Sequence, residues 1–375
     1  MPDDALLLRP DGLSADERLS FDCVRELDGP SVAERRGYLD RPADPAEHRA
    51  LFDSWPLLRQ IEVREGEVSV DAKTTLRIVS WNLERGKYVE EAATLLRALE
   101  ADVCLLSELD IGMARSGQRH SLREIAALLG QSYAFGTEFI EMSLGDDRER
   151  VWHKDEANER GLHGGGLLSA RPLQRPALLR LERSGYWWRK RFKGEVRIGG
   201  RIAVLAAVDL AGTPVTVAAV HFESHSGPEH RAEQMGVLLD AIDVYAPGAP
   251  AIIGGDFNTN TLDRLDPDYA ELRECLAQET PERFLSPEPF EPMFELARRR
   301  GYDWLACNRP EVPTTRTRPD GTPRPPHIKI DWFFTRGLTA AAPEVIPAVD
   351  AQGRAISDHE VLAVTVSPSA EGAAA

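Results

Sequence analysis

Cysteine is scarce in this 375-residue chain: four residues, Cys23, Cys104, Cys275 and Cys307, and no Cys-x-x-Cys pair among them. That spacing excludes a zinc-ribbon framework and gives no basis for a disulfide scaffold. Cys104, inside the apolar run Val103-Cys104-Leu105-Leu106, is expected to pack as a small buried hydrophobe. Long apolar runs are missing too; none approaches the roughly 20 residues that a membrane-crossing helix needs. The opening Met1-Pro2-Asp3-Asp4 has neither the basic nor the apolar region of a secretory signal, so a cytoplasmic location is expected. Positive charge is also in short supply, with 45 Lys and Arg against 61 Asp and Glu for a formal net charge of −16. Such a chain is poorly suited to nonspecific binding of long nucleic acid, which rests on many phosphate contacts. The field inside a small cleft can nonetheless oppose the net charge.

What is present is an ordinary soluble composition, 42% hydrophobic and 28% charged, with ample material for a core. Residues 1–72 are rich in charge and proline and are expected to form a partly helical extension packed on a main domain over 73–368. A short disordered tail is expected over 369–375. From Leu76 the texture changes: Leu76-Arg77-Ile78-Val79-Ser80-Trp81 alternates as a strand and ends at Asn82. Helical spacing follows at Val89, Ala92, Ala93, Leu96 and Leu99, and residues 102–108 read as a buried strand. Ser121 with Glu124 suggests a capping box, with Gly130 as the stop of that helix. Residues 202–210 and 215–221 read as a hairpin around Gly212-Thr213. Ala232, Met235, Leu238, Leu239 and Ile242 mark one helix face, and strands are expected at 251–254, 329–334 and 361–366. The Pro-rich stretches 281–292 and 310–326 read as surface loops. Strands, helices and a hairpin together predict a mixed α/β sandwich.

Several of these strands end in acidic, amide or imidazole groups: Asn82, Glu108, His221, Asp256 with Asn258, Asp331, and Asp358 with His359. Hard divalent cations prefer carboxylate and carbonyl oxygens, which Glu108, Asp358 and Asn82 offer. Imidazoles suit proton transfer near neutral pH, and an Asp behind His359 would fix its tautomer. Any one of these residues has a dull reading as a turn residue or helix cap; the ordered set is the specific signal.

Trp81-Asn82, Ser107-Glu108-Leu109, Val220-His221-Phe222, Gly255-Asp256-Phe257-Asn258, Lys329-Ile330-Asp331-Trp332 and Ser357-Asp358-His359 together resemble the endonuclease/exonuclease/phosphatase superfamily. That superfamily includes pancreatic-type deoxyribonucleases, abasic-site endonucleases, neutral sphingomyelinases and inositol polyphosphate 5-phosphatases. The resemblance spans roughly 76–367 and implies a four-layer α/β sandwich of two facing mixed β-sheets with helices outside. It implies a phosphoesterase using Mg²⁺, with Mn²⁺ or Ca²⁺ as alternatives. Asn82 and Glu108 are then metal ligands, with Asp358 near the same or a second cation. Asp256 and Asn258 position water and the scissile phosphate, His221 contacts phosphate or donates a proton, and Asp331 orients His359. Asp256 and His359 compete for the role of base.

The resemblance has one altered segment: Gly164-Gly165-Gly166-Leu167-Leu168-Ser169 stands where relatives often show Gly-Asn-Ala-Ile-Leu-Ser, so Gly165 replaces the amide. A local change of cleft shape is expected there. Residues 183–201 hold seven Arg or Lys with Tyr186, Trp187, Trp188 and Phe192 between them. Two readings stay open: a substrate-facing basic, aromatic loop, or a hairpin whose aromatics pack inward. Arg201, with Arg197 as the alternative, is the expected phosphate-contacting arginine. The charged stretch 145–161 is expected as a solvated loop, with capping of the cleft as the alternative; His225 and His230 are expected at the surface. The substrate is expected to be a phosphate ester, most simply a phosphodiester, with nuclease action or a silent phosphate-binding scaffold as alternatives. A calcineurin-like phosphatase is a poor fit, because Asp-x-His early and Gly-Asn-His later are missing.

Overall fold

A computed structural model describes residues 12–369; the expectations for the first residues and for the tail beyond 369 lie outside them. The first strands are β1 (Leu19–Ser20), β2 (Asp22–Val24), β3 (Gln60–Arg64), β4 (Leu76–Asn82), β5 (Val103–Ile111), β6 (Ser132–Glu141), β7 (Leu162–Ser169) and β8 (Gln174–Arg180). They are followed by β9 (Arg197–Gly199), β10 (Ile202–Leu210), β11 (Thr213–His221), β12 (Ala251–Asp256), β13 (Asp331–Arg336), β14 (Leu338–Ile346) and β15 (Val361–Pro368). They build a six-stranded sheet in the order β1-β8-β10-β11-β12-β13 and a nine-stranded sheet in the order β14-β15-β4-β5-β7-β6-β3-β2, with β9 paired to β6. Both sheets are mixed: β4–β5 and β11–β12 are parallel, and most other pairs are antiparallel.

Period-two alternation explains the layering, because neighbouring side chains on a strand face opposite sides. Ile78 and Val103 on one sheet meet Val217 and Ile252 on the other in the core between the sheets. Their neighbours Val79 and Cys104 face outward onto the helices Val89–Ala98 and Ser121–Leu129. Ala218 and Ile253 likewise face the helices Pro228–Tyr245 and Pro292–Arg299. The result is helix, sheet, sheet, helix: the expected four-layer sandwich.

Details differ from the sequence reading in instructive ways. β1 pairs with β8, and β3 pairs with β6, so residues 19–64 supply edge strands to both sheets. The helix from Ser121 is capped by His120, whose ring nitrogen accepts from the Arg123 amide, while Ser121 Oγ donates to the Gly86 carbonyl. Ser121 is therefore the first helical residue rather than the cap. β5 does not close at Glu108 but continues to Ile111 through a bulge between Leu106 and Leu109. β13 starts at Asp331, two residues later than expected.

Candidate functional site

The parallel pairs bring chain ends of the same polarity to one edge of the sandwich. Asn82 ends β4 beside Ser107, His221 ends β11 beside Asp256, and Asp256 ends β12 opposite Asp331, the first residue of β13. The Leu106–Leu109 bulge, with Glu108 at φ +53°, turns the Glu108 carboxylate to the same edge. Asp358 and His359 arrive just before β15, and the Trp81 indole holds the His359 carbonyl at 3.2 Å. Four of the six motifs line one cleft of about 410 Å³ through Glu108, His221, Asp256 with Asn258, and Asp358 with His359; Asn82 and Asp331 stand behind it, bonded to Asp256 and His359.

Asp256 is the hub. Its Oδ2 accepts from Asn82 Nδ2 at 3.2 Å, and the Nε2 atoms of His221 and His359 each stand 3.8 Å from it. Its Oδ1 accepts from the Asn258 amide at 2.9 Å, and the Asn258 side chain donates to the Phe222 carbonyl at 3.0 Å. Asn258 sits at φ +51°, a left-handed backbone that Asn tolerates better than most residues. Burial raises the Asp256 carboxyl above its ordinary value and the Asp331 charge adds to this, while the two imidazoles pull the other way. His359 Nδ1 pairs with Asp331 at 2.9 Å. Burial opposes charge on that imidazole, but Asp331 and Asp256 outweigh it and raise the group to about 10.

Glu108 shares one oxygen with Asn82 Nδ2 at 3.1 Å and the other with Arg85 at 3.0 Å. Against the effect of burial, Arg85 and the nearby imidazoles hold its carboxyl well below the usual range. Asp358 faces Arg324 at 2.6 Å and Arg318 at 3.3 Å. Glu84 Oε2 is buried without a hydrogen-bond partner, and the charges of Asp358 and Glu108, after burial, push Glu84 up to about 7. Oxygen-rich, mutually repelling donors of this kind suit a hard cation. Asp256, Asp331 and His359 also place donor atoms within 4.8 Å of one another. There, however, the imidazole and Asp331 already satisfy each other, and Glu108 and Asp358 are each engaged by an arginine, so the buried oxygen left without a hydrogen bond beside them is Glu84 Oε2.

The two arginines singled out in sequence line the cleft, each held between carboxylates. Arg201 lies 2.9 Å from Glu138 and 3.2 Å from Glu223, and reaches His221 Nδ1 at 3.0 Å. Arg197 lies 2.5 Å from Glu141, pairs with Glu195, and stacks 4.4 Å over Trp187. Arg201 thus stands between Glu223 and His221. Trp187 and Trp188 are buried, with Trp187 Nε1 donating to Glu223 and Trp188 Nε1 to the Pro42 carbonyl. The inward-packing reading of residues 183–201 holds for Trp188, while Trp187, though buried, also lines the cleft. His230 is buried and His225 lines the cleft, stacked on Phe192, so neither is a surface group. The stretch 145–161 borders the cleft through Asp146, Arg148 and Glu149 instead of standing off in solvent. At Gly165 an added Cβ would meet the Leu106 carbonyl oxygen at 2.9 Å, so strand packing alone bars a side chain there.

Sequence reasoning missed Arg85, Glu138 and Arg324. Glu138 had a usable signal, a lone carboxylate in the run Tyr133–Ile140 that is otherwise free of charge. Arg85 and Arg324 had none, because their partners lie far along the chain.

A two-sheet sandwich with acid, amide and imidazole groups gathered at one edge defines the class. The Endonuclease/Exonuclease/phosphatase family model matches residues 79–359, and the chain belongs to that family. An endonuclease/exonuclease/phosphatase structure from Beutenbergia cavernae shares 21% identity and a TM-score of 0.53, covering 79% of this chain and 72% of that one. A functionally unknown protein from Enterococcus faecalis shares 15% identity with a TM-score of 0.51, covering 78% and 100%. A family member from Bacteroides thetaiotaomicron shares 15% identity with a TM-score of 0.51, covering 80% and 96%. These likenesses show the fold. Comparison with curated proteins yields no match. Among the described residues, no helix is long and apolar enough to cross a membrane.

Proposed function

We propose that the protein is a divalent-metal-dependent phosphoesterase, acting foremost on phosphodiesters, that directs in-line attack of water on phosphorus. The observation that carries this reading is the Asp256 carboxylate, ringed by Asn82, His221 and His359 at the floor of the cleft. Asp256 orients the attacking water and takes its proton, a task helped by a carboxyl raised through burial. His359, kept cationic by Asp331 and Asp256, offsets the negative charge that builds on the phosphoryl oxygens. That assigns the base to Asp256 and the stabilising cation to His359. His221, aimed by Arg201 and Glu138, and Asn258 hold the phosphate. Asn82, Glu108 and Asp358 would hold Mg²⁺ or Mn²⁺, which when bound supplies Lewis-acid polarisation of a phosphoryl oxygen.

The test is hydrolysis of bis(p-nitrophenyl) phosphate beside nicking of plasmid DNA, each with Mg²⁺, Mn²⁺ and Ca²⁺. Diester turnover is expected, abolished by EDTA, and lowered about 10²–10⁴-fold in kcat by Asp256→Asn. Turnover unchanged by EDTA removes the metal from the reading, and unchanged turnover in Asp256→Asn removes the base. Nicking without small-diester turnover makes the nuclease alternative the right one.

A further inference from the structure

Ten Lys and Arg side chains line the cleft against seven Asp and Glu, an excess of positive charge inside a chain of net charge −16. Seven of the ten have a carboxylate within 4 Å, as Arg85 has Glu108 and Arg324 has Asp358. Lys193, Arg264 and Arg273 have none among the described residues. They come from three separate elements: the turn Phe192–Gly194, the loop after β12, and the helix Tyr269–Glu279. Arg264 Nε donates to the Tyr269 hydroxyl at 3.2 Å, and Arg273 Nη1 donates to the Pro325 carbonyl at 3.2 Å. Each contact uses part of a five-donor guanidinium and fixes its place while leaving donors open. Burial lowers the Arg273 guanidinium and the Arg264 charge adds to the effect, so each stands in the other's field.

Three like charges gathered from separate elements, with no carboxylate within 4 Å among the described residues, repel one another, and an incoming anion relieves that repulsion. The scissile phosphate does not need them, since its place lies at the floor among Asp256, His221 and His359. We infer that Lys193, Arg264 and Arg273 form a second phosphate subsite, and that the substrate carries a further phosphate beside the one that is cleaved. The inference rests on the phosphoesterase reading and adds to it a substrate class: esters bearing at least two phosphate groups. Arg264 and Arg273 act as specificity residues, and their donors match a phosphate oxygen face.

Two probes differing by one group test this: the p-nitrophenyl ester of thymidine 5′-phosphate, with a free 3′-hydroxyl or with a 3′-phosphate. The second phosphate should raise kcat/KM about tenfold or more, chiefly through KM. In Arg264→Gln/Arg273→Gln that ratio should fall toward one. A 5′-phosphorylated single-stranded dinucleotide run beside the mononucleotide tells whether the extra phosphate arrives along a strand or on a small ester. In parallel, metal-free protein in EDTA should bind inorganic pyrophosphate more tightly than inorganic phosphate, and the double variant should lose that preference. A ratio near one in the parent, or a ratio kept in the variant, overturns the subsite. If neither ester is hydrolysed the phosphoesterase reading fails, and the pyrophosphate titration still decides the subsite.

Discussion

Arg115 and Arg264 serve the same cleft under opposite conditions. Arg115, set behind β5 with a side chain 1% exposed, has four carboxylates within 4 Å: Asp110, Glu141, Glu149 and Glu195. Arg264, on the loop after β12, has none among the described residues and shares one hydrogen bond with Tyr269. The first is part of a buried lattice that also holds Arg85, Arg197 and His163. Burying so many charges is tolerable only because each is matched at short range. That lattice stiffens the ground beneath Glu108 through Arg85, which joins it to the floor of the cleft. The difference separates two uses of arginine: matched and buried cations fix geometry, and unmatched, half-exposed ones await an anion.

The largest effect that can break this comparison is in the matched set. Arg115→Ala leaves buried Asp110 with only His163 at 2.7 Å and buried Glu149 with only Arg85 at 3.5 Å as basic partners among the described residues, and should cost about 3–5 kcal/mol in a urea or guanidinium titration. A loss below about 1 kcal/mol would mean that the lattice is not structural. Next comes Trp188→Ala. Its ring is fully buried and its Nε1 bonds the Pro42 carbonyl, tying residues 183–201 to the N-terminal segment. About 3–5 kcal/mol of stability should be lost. A variant that melts with the parent but binds substrate worse would return this segment to the substrate-facing reading.

How far the sequence foretold these two sets follows from the range of the interactions. Strand ends carrying Asn82, His221 and Asp256 were legible because alternation and a terminal polar residue are local signals. Their convergence was legible through the order of the six motifs. Helix Ser121–Leu129 was legible, but its cap was not: a Ser followed by Glu three residues on imitates a capping box, and the tertiary bond from Ser121 to Gly86 decided the matter. The ion lattice was illegible because its pairs join residues such as Arg85 with Glu195 and Arg115 with Glu149, which nothing local links. β1, two residues long, forms only because β8 offers an edge, and so leaves no pattern of its own. The aromatic segment 183–201 was ambiguous for the same reason, since whether Trp187 and Trp188 face in or out depends on Glu223 and Pro42.

The smallest effect carries the most telling sign. Lys193 lies in the turn Phe192–Gly194 at φ +50°, with no carboxylate partner among the described residues. Substitution of an exposed, unpaired lysine normally changes stability by no more than about 0.5 kcal/mol. Lys193→Gln keeps an unbranched side chain, so the backbone at this left-handed position is no more strained than before. What it removes is repulsion by Arg264, Arg318 and Arg85, which together outweigh the attraction of Glu195, so the free protein should gain a few tenths of a kcal/mol. Because screening shortens the reach of charge, that gain should shrink from about 0.01 M to 1 M salt. Added pyrophosphate should reverse the sign, since the parent then has an anion to bind and the variant has lost one of its ligands. Thermal melts at two salt concentrations, with and without pyrophosphate in EDTA, read all three changes. A destabilised variant in the absence of anion would place Lys193 with Arg115, among the cations that hold the protein together.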